Sequence, residues 1–213
     1  MTLGAMPVLA HSLSAFQDSA LVDEIVVVTR EDRIAEITEL CKKYRMDKVT
    51  KVIAGGSTRA ESALKGVSAV KSSAELIAIH DGARPLVTQE LILRTVTAAK
   101  KYLSAVPVVK STDTLKSVNE AGFITGSIDR DTTVRVQTPQ VFDAMLIKGA
   151  LTHAVQHNTP ITDDCSAIEH MGAKTYTVAG DEDNIKLTTP RDVLLAAAIL
   201  KDRGAYLADR SRL

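Results

Sequence analysis

The chain has 213 residues and carries 26 Lys and Arg against 26 Asp and Glu, so its formal net charge is zero. This balance excludes a general electrostatic attraction to nucleic acid or to an acidic membrane, and an aromatic content of 3% leaves too few rings for a base-stacking platform. No apolar run reaches the roughly 18 residues of a membrane helix. The two cysteines, Cys41 and Cys165, make no disulfide framework and indicate a reducing cytoplasm.

Short apolar runs alternate with helical periodicity along most of the chain. The first strand is predicted over 24–29, where β-branched residues form a continuous run. A helix over 31–44 follows, with Thr29 as its predicted N-cap. Further strands are predicted at 48–56, 76–81, 104–118, 134–142 and 174–180. Further helices are predicted at 61–70, 88–102, 143–156 and 163–171, and after Pro190 with Thr189 as cap. The alternation predicts an α/β fold, a mostly parallel sheet flanked by helices.

Residues 111–133 break this alternation. The turn sequence "NEAG" lies there between two alternating segments, which predicts a β-hairpin that leaves the main domain. An excursion of this kind is typical of an assembly arm.

A buried strand, "LIAIHD" (76–81), runs directly into an acid. In an open parallel sheet, ligands bind at the carboxyl ends of the strands, where Asp81 lies. An acid at this place can hold Mg²⁺ on a nucleotide phosphate. The alternative is that Asp81 caps the next turn and that Arg84 pairs with a local carboxylate.

Two other polar segments suggest anion binding. In "GGSTRAES" (55–62) the glycines allow a close backbone approach, and Ser57, Arg59 and Ser62 offer donors near a helix start. Lys186 in "DEDNIKLTTP" is either half of a surface ion pair or a charge for a phosphate. A simple turn remains the alternative for the Gly-Gly pair, and a plain helix cap remains the alternative for "ITDDCS" (161–166).

The ordered set of motifs is more specific than any member. The motifs are "PVLAHSLSAF", "GGSTRAES", "HDGARPLV", "DTLK", "QTPQVF", "TDDCS" and "NIKLTTPRD". In this order and spacing, over residues 3–200, the chain resembles the 2-C-methyl-D-erythritol 4-phosphate cytidylyltransferase family of the non-mevalonate isoprenoid pathway. The resemblance implies one Rossmann-like nucleotidyltransferase domain over 1–213. It also implies a homodimer through the arm, and transfer from CTP to the sugar-alcohol phosphate with release of pyrophosphate.

The resemblance also implies roles for individual residues. The cytidine nucleotide would contact Gly56, Ser57, Ser62, Asp81 and Gly82, although the family often has an acid where Ser57 stands. Mg²⁺ or another divalent cation would bind Asp81 and Asp183. The methylerythritol phosphate would contact Arg84, Thr114, Arg130, Thr138, Thr162 and Lys186. Lys186 and Arg130 would be the catalytic charges, and the arm would carry Thr114 and Arg130 to the partner's site.

One departure from the family pattern concerns the beginning of the chain. The family opens with a strand, a glycine-rich loop, an Arg and a Pro-Lys-Gln stretch, and this sequence starts after them. We expect a natural segment of roughly 20–30 residues to precede Met1, because parallel sheets need every central strand, and we expect the 213-residue chain to be catalytically impaired. The alternatives are a ribitol-5-phosphate cytidylyltransferase and a non-catalytic dimerising remnant.

Overall fold

The computed structural model describes residues 1–204. The strands are β1 (Thr2–Leu3), β2 (Met6–Pro7), β3 (Ile25–Thr29), β4 (Val49–Ala54), β5 (Leu76–Ile79), β6 (Ser104–Lys110), β7 (Leu115–Val118), β8 (Ile124–Ile128), β9 (Val134–Val136), β10 (Gln140–Asp143) and β11 (Tyr176–Ala179). The helices are α1 (Val8–Gln17), α2 (Ile34–Lys43), α3 (Arg59–Ala69), α4 (Gln89–Tyr102), α5 (Ala144–Gln156), α6 (Asp164–His170) and α7 (Pro190–Asp202). None of the helices within residues 1–204 is long and apolar enough to cross a bilayer.

The main sheet has the strand order β11–β6–β10–β5, with β9 beside β6. Strand β10 runs antiparallel to both β5 and β6, so these two strands share a direction, and β11 runs parallel to β6. Strands β3 and β4 form a parallel pair. The predicted α/β fold with a mostly parallel sheet flanked by helices is therefore confirmed.

The sheet is divided into two parts. Within residues 1–204, β3 bonds only to β4, and β5 bonds only to β10. A single cavity of about 1270 Å³ is lined by the whole of β3 and the whole of β5, so the two strands face each other across a gap. The apolar runs predict both strands, although an apolar run alone does not identify its neighbour in a sheet.

Two apolar clusters hold the helices against the strands. Phe142, Ile147, Leu151 and Ile168 are essentially fully buried where α5 and α6 cover the main sheet. On the other part of the molecule, Val27 packs with residues of α1 and α2. Burial of a large apolar side chain stabilises a fold by about 1.5–3 kcal/mol, so these clusters fix the helices that surround the candidate site.

Several predicted boundaries change in the structure. Thr29 does not cap α2, because a 3₁₀ turn over Glu31–Arg33 comes between them and the helix begins at Ile34. Helix α1 lies in the "PVLAHSLSAF" motif, for which no helix had been predicted. The predicted cap Thr189 is confirmed, because its hydroxyl accepts a hydrogen bond from the backbone N–H of Asp192. Thr88, predicted as the first helical residue, is instead the cap of α4, and its hydroxyl accepts a hydrogen bond from the backbone N–H of Leu91.

The predicted hairpin is present as β7 and β8, an antiparallel pair. Its turn is closed where the Asn119 side-chain oxygen accepts a hydrogen bond from the Phe123 N–H at 2.9 Å. Phe123 is 71% exposed, and Val118 and Ile124 are also exposed. The arm thus presents apolar side chains that nothing in residues 1–204 covers.

Candidate active site

Asp81 lies just beyond the carboxyl end of β5 and faces two cations. Its Oδ2 is 3.0 Å from Lys186 Nζ and 3.7 Å from Arg84 Nε. Burial alone would raise the pKa of Asp81, but Lys186, Arg84 and Arg59 outweigh it, and the pKa lies below its ordinary value. Asp81 is therefore held ionised, and the structure brings three of the predicted residues together.

Thr138 and His80 fix the backbone of Asp81. The Asp81 N–H donates to Thr138 Oγ1 at 3.1 Å, and the same hydroxyl lies 3.0 Å from His80 Nδ1. Desolvation lowers the pKa of His80 to about 4, so the ring is neutral near pH 7. His80 Nε2 faces the Arg84 carbonyl oxygen at 3.1 Å, which places the ring proton on Nε2. His80 Nδ1 must then accept the Thr138 hydroxyl proton, and Thr138 is committed to positioning Asp81.

Arg84 is held from its other side by the segment that precedes Lys186. Its Nη1 donates to the Asn184 carbonyl oxygen at 2.7 Å. Asn184 is fully buried, and its Nδ2 donates to the Thr138 carbonyl oxygen at 2.9 Å. Burial lowers the pKa of Arg84 from its ordinary value, and Asp81 opposes this shift. Asn184 thus joins the segment of Lys186 to Arg84 and to the segment of Thr138, which in turn holds the backbone of Asp81.

The glycine loop before α3 is folded onto that helix. Gly56 N–H donates to Ser62 Oγ at 3.0 Å, and the Ser57 N–H and hydroxyl both donate to Glu61 Oε2 at 2.7 Å. A Cβ at Gly56 would lie 2.2 Å from the Cβ of Glu61, so only glycine allows this approach. Thr58 caps the helix. The predicted nucleotide contacts are therefore grouped where the loop, with Gly56 and Ser57, meets the first turn of α3, with Ser62.

An ion pair between an exposed arginine and a buried acid ties the start of α3 to α6. Arg59 Nη2 donates to Asp164 Oδ2, and Asp164 is fully buried. Gln140 Oε1 accepts hydrogen bonds at 3.1 Å from the N–H groups of Asp164 and Cys165. Burial raises the pKa of Asp164 to about 6, with Arg59 opposing the shift. The starts of α3, α6 and β10 are consequently held together by these contacts.

Other predicted residues lie apart from this cluster. Asp183 Oδ2 is 3.0 Å from Arg203 Nη2. The carboxylate of Asp183 therefore forms an ion pair with Arg203 and does not join Asp81 in a shared metal site. Thr114, Arg130 and Thr162 are exposed, and no hydrogen bond or ion pair joins their side chains to the cluster within residues 1–204. Within residues 1–204, no group of three or more Asp, Glu, His or Cys side chains is arranged to hold a metal ion.

Three buried polar residues were missed by sequence reasoning. They are Gln140, Asp164 and Asn184, each with at most 1% of its surface exposed. Gln140 and Asn184 lie inside the polar motifs "QTPQ" and "DEDNIK", so the motifs were found but their buried members were not. Asp164 had been interpreted only as part of a helix cap. That cap is formed by Asp163, whose carboxylate accepts a hydrogen bond from Ser166 N–H at 3.0 Å.

Comparison with known proteins agrees with this geometry over nearly the whole chain. The family model described as 2-C-methyl-D-erythritol 4-phosphate cytidylyltransferase matches residues 1–202. A relative of that name from Clostridium novyi (strain NT) is 39% identical over 203 residues, which are 95% of this chain and 87% of the relative. The chain belongs to the 2-C-methyl-D-erythritol 4-phosphate cytidylyltransferase family.

Solved structures of the family have the same fold. A 4-diphosphocytidyl-2C-methyl-D-erythritol synthase from Anaerococcus prevotii DSM 20548 superposes with a TM-score of 0.85 at 31% identity, covering 94% of this chain and 88% of that one. A cytidylyltransferase from Thermus thermophilus superposes with a TM-score of 0.75 at 28% identity, covering 94% and 91%. These relatives support the methylerythritol enzyme over the ribitol enzyme and over the non-catalytic remnant.

Proposed function

We propose that the chain transfers a cytidylyl group from CTP to 2-C-methyl-D-erythritol 4-phosphate. The observation that carries the proposal is the Asp81 cluster, an ionised acid between Lys186 and Arg84 at the carboxyl end of a strand, in a chain of this family. The products would be 4-diphosphocytidyl-2-C-methyl-D-erythritol and pyrophosphate. The step would take place in the cytoplasm, where the buried thiols of Cys41 and Cys165 would stay unpaired.

The reaction needs no protein nucleophile. A phosphate oxygen of methylerythritol phosphate attacks the α-phosphorus of CTP and forms a new P–O bond, while the bond to the pyrophosphate oxygen breaks and its electron pair leaves with pyrophosphate. Catalysis is then a matter of position and charge. Lys186 is 47% exposed at its side chain and can reach a phosphate from its present place beside Asp81. Arg84 is held by Asn184 and offers a fixed charge to the second phosphate.

Mg²⁺ would bind at Asp81. The carboxylate is ionised, so the donor fits a hard cation that takes one or two carboxylates together with substrate phosphates. Asp183 is the second proposed ligand, but its carboxylate would first have to leave Arg203. A bound Mg²⁺ would neutralise phosphate charge and align the triphosphate.

The arm would serve a second subunit. Thr114 and Arg130 lie on or beside the hairpin and away from the Asp81 cluster of their own chain, and the hairpin's apolar residues are exposed. A homodimer that covers these residues would bring Thr114 and Arg130 to the partner's methylerythritol phosphate. Arg130 would there supply a catalytic charge, and exposed Thr162 would contact the same substrate.

Product analysis tests the proposed reaction. Incubation with CTP, Mg²⁺ and methylerythritol phosphate should give a cytidine diphosphate product detectable by mass spectrometry. Ribitol 5-phosphate, the matched control substrate, should give at least about tenfold less product, because a site built for one hydroxyl pattern leaves polar groups unpaired with another. Equal product from both substrates would reject the assigned specificity.

A further inference from the structure

Arg203, the residue that caps the end of α7, connects two separate segments of the candidate active site. Its Nη1 donates to the Leu86 carbonyl oxygen at 2.9 Å. Its Nη2 lies 3.3 Å from Asp181 Oδ2 and 3.0 Å from Asp183 Oδ2. A planar guanidinium has donors at both ends of its fork, so one side chain can bind acceptors from different segments. The end of α7 is therefore attached both to the segment after β5 and to the turn after β11.

These two segments carry the cations that face Asp81. Arg84 lies two residues before Leu86, and Lys186 lies three residues after Asp183. A change in the separation of the segments would move the two charges relative to each other and to the carboxylate between them. The guanidinium at the end of α7 thus joins the segments within three residues of each charge.

The two segments also contact each other directly. The Leu187 N–H donates to the Ala83 carbonyl oxygen at 2.8 Å, and Arg84 Nη1 donates to the Asn184 carbonyl oxygen at 2.7 Å. Both bonds involve residues next to the charged side chains, whereas Arg203 joins the segments through α7. The Leu187 amide can therefore report whether the two segments stay together.

Apolar packing gives α7 a fixed position against the same two segments. Ala196 and Leu200 of α7 are buried in one cluster with Leu86 and Leu187, one residue from each segment. Arg203 keeps a helical backbone conformation, with φ −68° and ψ −2°, so it lies on the same side of α7 as Leu200, three positions earlier. The polar contacts at the helix end consequently continue the apolar contact by one turn.

The opposite end of α7 is fixed by its cap. Asp192 Oδ2 accepts hydrogen bonds from the N–H groups of Thr188 and Thr189 at 2.8 and 2.7 Å, and the Thr189 hydroxyl accepts one from the Asp192 N–H. The chain thus runs from the turn that holds Lys186 directly into α7. At the far end of the helix, Arg203 connects it back to the start of that turn.

Arg203 also balances two acids close to Lys186. Asp181 accepts the Asp183 N–H at its Oδ1 at 2.9 Å, so its carboxylate stays folded onto the turn and presents Oδ2 to Arg203. Without the guanidinium, the two negative charges would compete with Asp81 and with substrate phosphate for the ammonium group of Lys186. The ion pair of Arg203 with Asp181 would remain if Asp183 turned to Mg²⁺.

We propose that Arg203 is a positioning residue for the transfer reaction. It holds the turn of Lys186 against the segment of Arg84, so that both charges keep their places around Asp81. The inference rests on the proposed cytidylyl transfer and adds to it a residue outside the charged cluster. Arg203 acts through the main chain of the two segments and through the acids of the turn.

Hydrogen exchange tests this connection without catalysis, so its result is independent of the proposed transfer. Arg203→Met removes the donors, and Arg191→Met is the control, because Arg191 is exposed at the start of the same helix. In Arg203→Met the Leu187 amide should exchange at least about tenfold faster, since the segments open locally. The Asp143 amide, which is bonded within the main sheet, should not change, and the control should change neither amide. Unchanged exchange at Leu187, or an equal increase at both amides, would overturn the proposal.

Steady-state kinetics, with rates taken per folded chain as measured by circular dichroism, tests the effect on the reaction. Arg203→Met should lower kcat at least about tenfold and change the KM values of both substrates less than about threefold, because misplaced charges cost most in the transition state. Arg203→Lys should recover only part of the loss, since it keeps the charge but lacks the fork that reaches both segments.

A kcat of Arg203→Met equal to that of the unaltered chain would overturn the positioning role, and so would full recovery by Arg203→Lys. Arg191→Met should be as active as the unaltered chain. Absence of product from the unaltered chain would instead reject the proposed transfer. The exchange rate at Leu187 would then still decide whether Arg203 holds the two segments together.

Discussion

Burial shifts the pKa values of two residues near the candidate site in opposite directions: it lowers the pKa of His80 and raises the pKa of Asp164. Neutral His80 supports Asp81 through Thr138, and Asp164 holds Arg59 beside the glycine loop. Neither role follows from the sequence, because a histidine or an acid in a motif does not state whether it is buried. Asp81, Arg84 and Lys186, in contrast, could be predicted from their positions at strand ends and in charged turns.

The two groups affect stability with opposite signs as pH changes. The pKa of His80 falls from 6.5 to about 4 on folding, so the unfolded chain binds more protons and stability rises between pH 4 and 6.5. The pKa of Asp164 rises from 3.8 to about 6, so the folded chain binds more protons and stability falls between pH 3.8 and 6. Each shift corresponds to about 3 kcal/mol, so the two contributions largely cancel in the unaltered protein.

Single substitutions should uncover each contribution. Asp164→Asn removes the contribution that falls with pH, so its unfolding free energy should rise between pH 4 and 6 by about 3 kcal/mol relative to the unaltered chain. His80→Gln removes the contribution that rises with pH, so its unfolding free energy should fall over the same interval by a similar amount relative to the unaltered chain. Urea unfolding at four pH values measures both. Asp47→Asn, at an exposed position, is the control and should follow the unaltered chain. Parallel pH profiles for all four proteins would contradict the burial argument.

At the scale of elements, the strands and helices with strong periodicity were predicted closely. The cap at Thr189 and the hairpin around "NEAG" were found because each has a local chemical signal. Helix α1 was missed since its sequence, "VLAHSLSAFQ", lacks a side-chain cap and begins after a proline with no acidic residue in its first turn. Local signals of this kind also cannot reveal what covers an exposed element such as the arm.

The arm should carry the proposed dimer interface through its apolar residues. Phe123→Asp should weaken dimerisation at least about tenfold, because the interface would have to bury a charge. Leu194→Asp is the matched control, since Leu194 is 74% exposed on α7 and lies outside the arm. Sedimentation equilibrium measures both dissociation constants. Equal dimerisation of the two variants would remove the arm from the interface.

At the scale of the whole molecule, the α/β class and the family were predictable, but the neighbour of each strand in the sheet was not. Class follows from the alternation of periodicities, which is a local property of the chain. The separation of β3 from β5 depends on which strands are neighbours, and the apolar pattern of a single strand does not encode its neighbour. The same limit applies to the site, where Gln140 and Asn184 act by joining distant segments.

A composite site across the proposed dimer can be tested by mixing subunits. Arg130→Ala removes a charge from the arm, and Asp81→Asn removes the acid at the end of β5. A mixed dimer would contain one site with neither change, so mixing should restore up to about a quarter of the unaltered activity, because half of the subunit pairs are mixed and half of their sites are intact. No recovery, with subunit exchange verified by native mass spectrometry, would indicate that each site lies within one subunit.

The role of Asp81 in the active site is tested by pyrophosphate release with CTP, Mg²⁺ and methylerythritol phosphate, compared between the unaltered chain and Asp81→Asn. Asparagine keeps the shape of the side chain but removes the charge that faces Lys186 and Arg84. We predict a loss of at least about 10²-fold in rate, with circular dichroism unchanged and with Asp47→Asn as active as the unaltered chain. An Asp81→Asn rate equal to that of the unaltered chain would contradict the assignment of the active site to the Asp81 cluster.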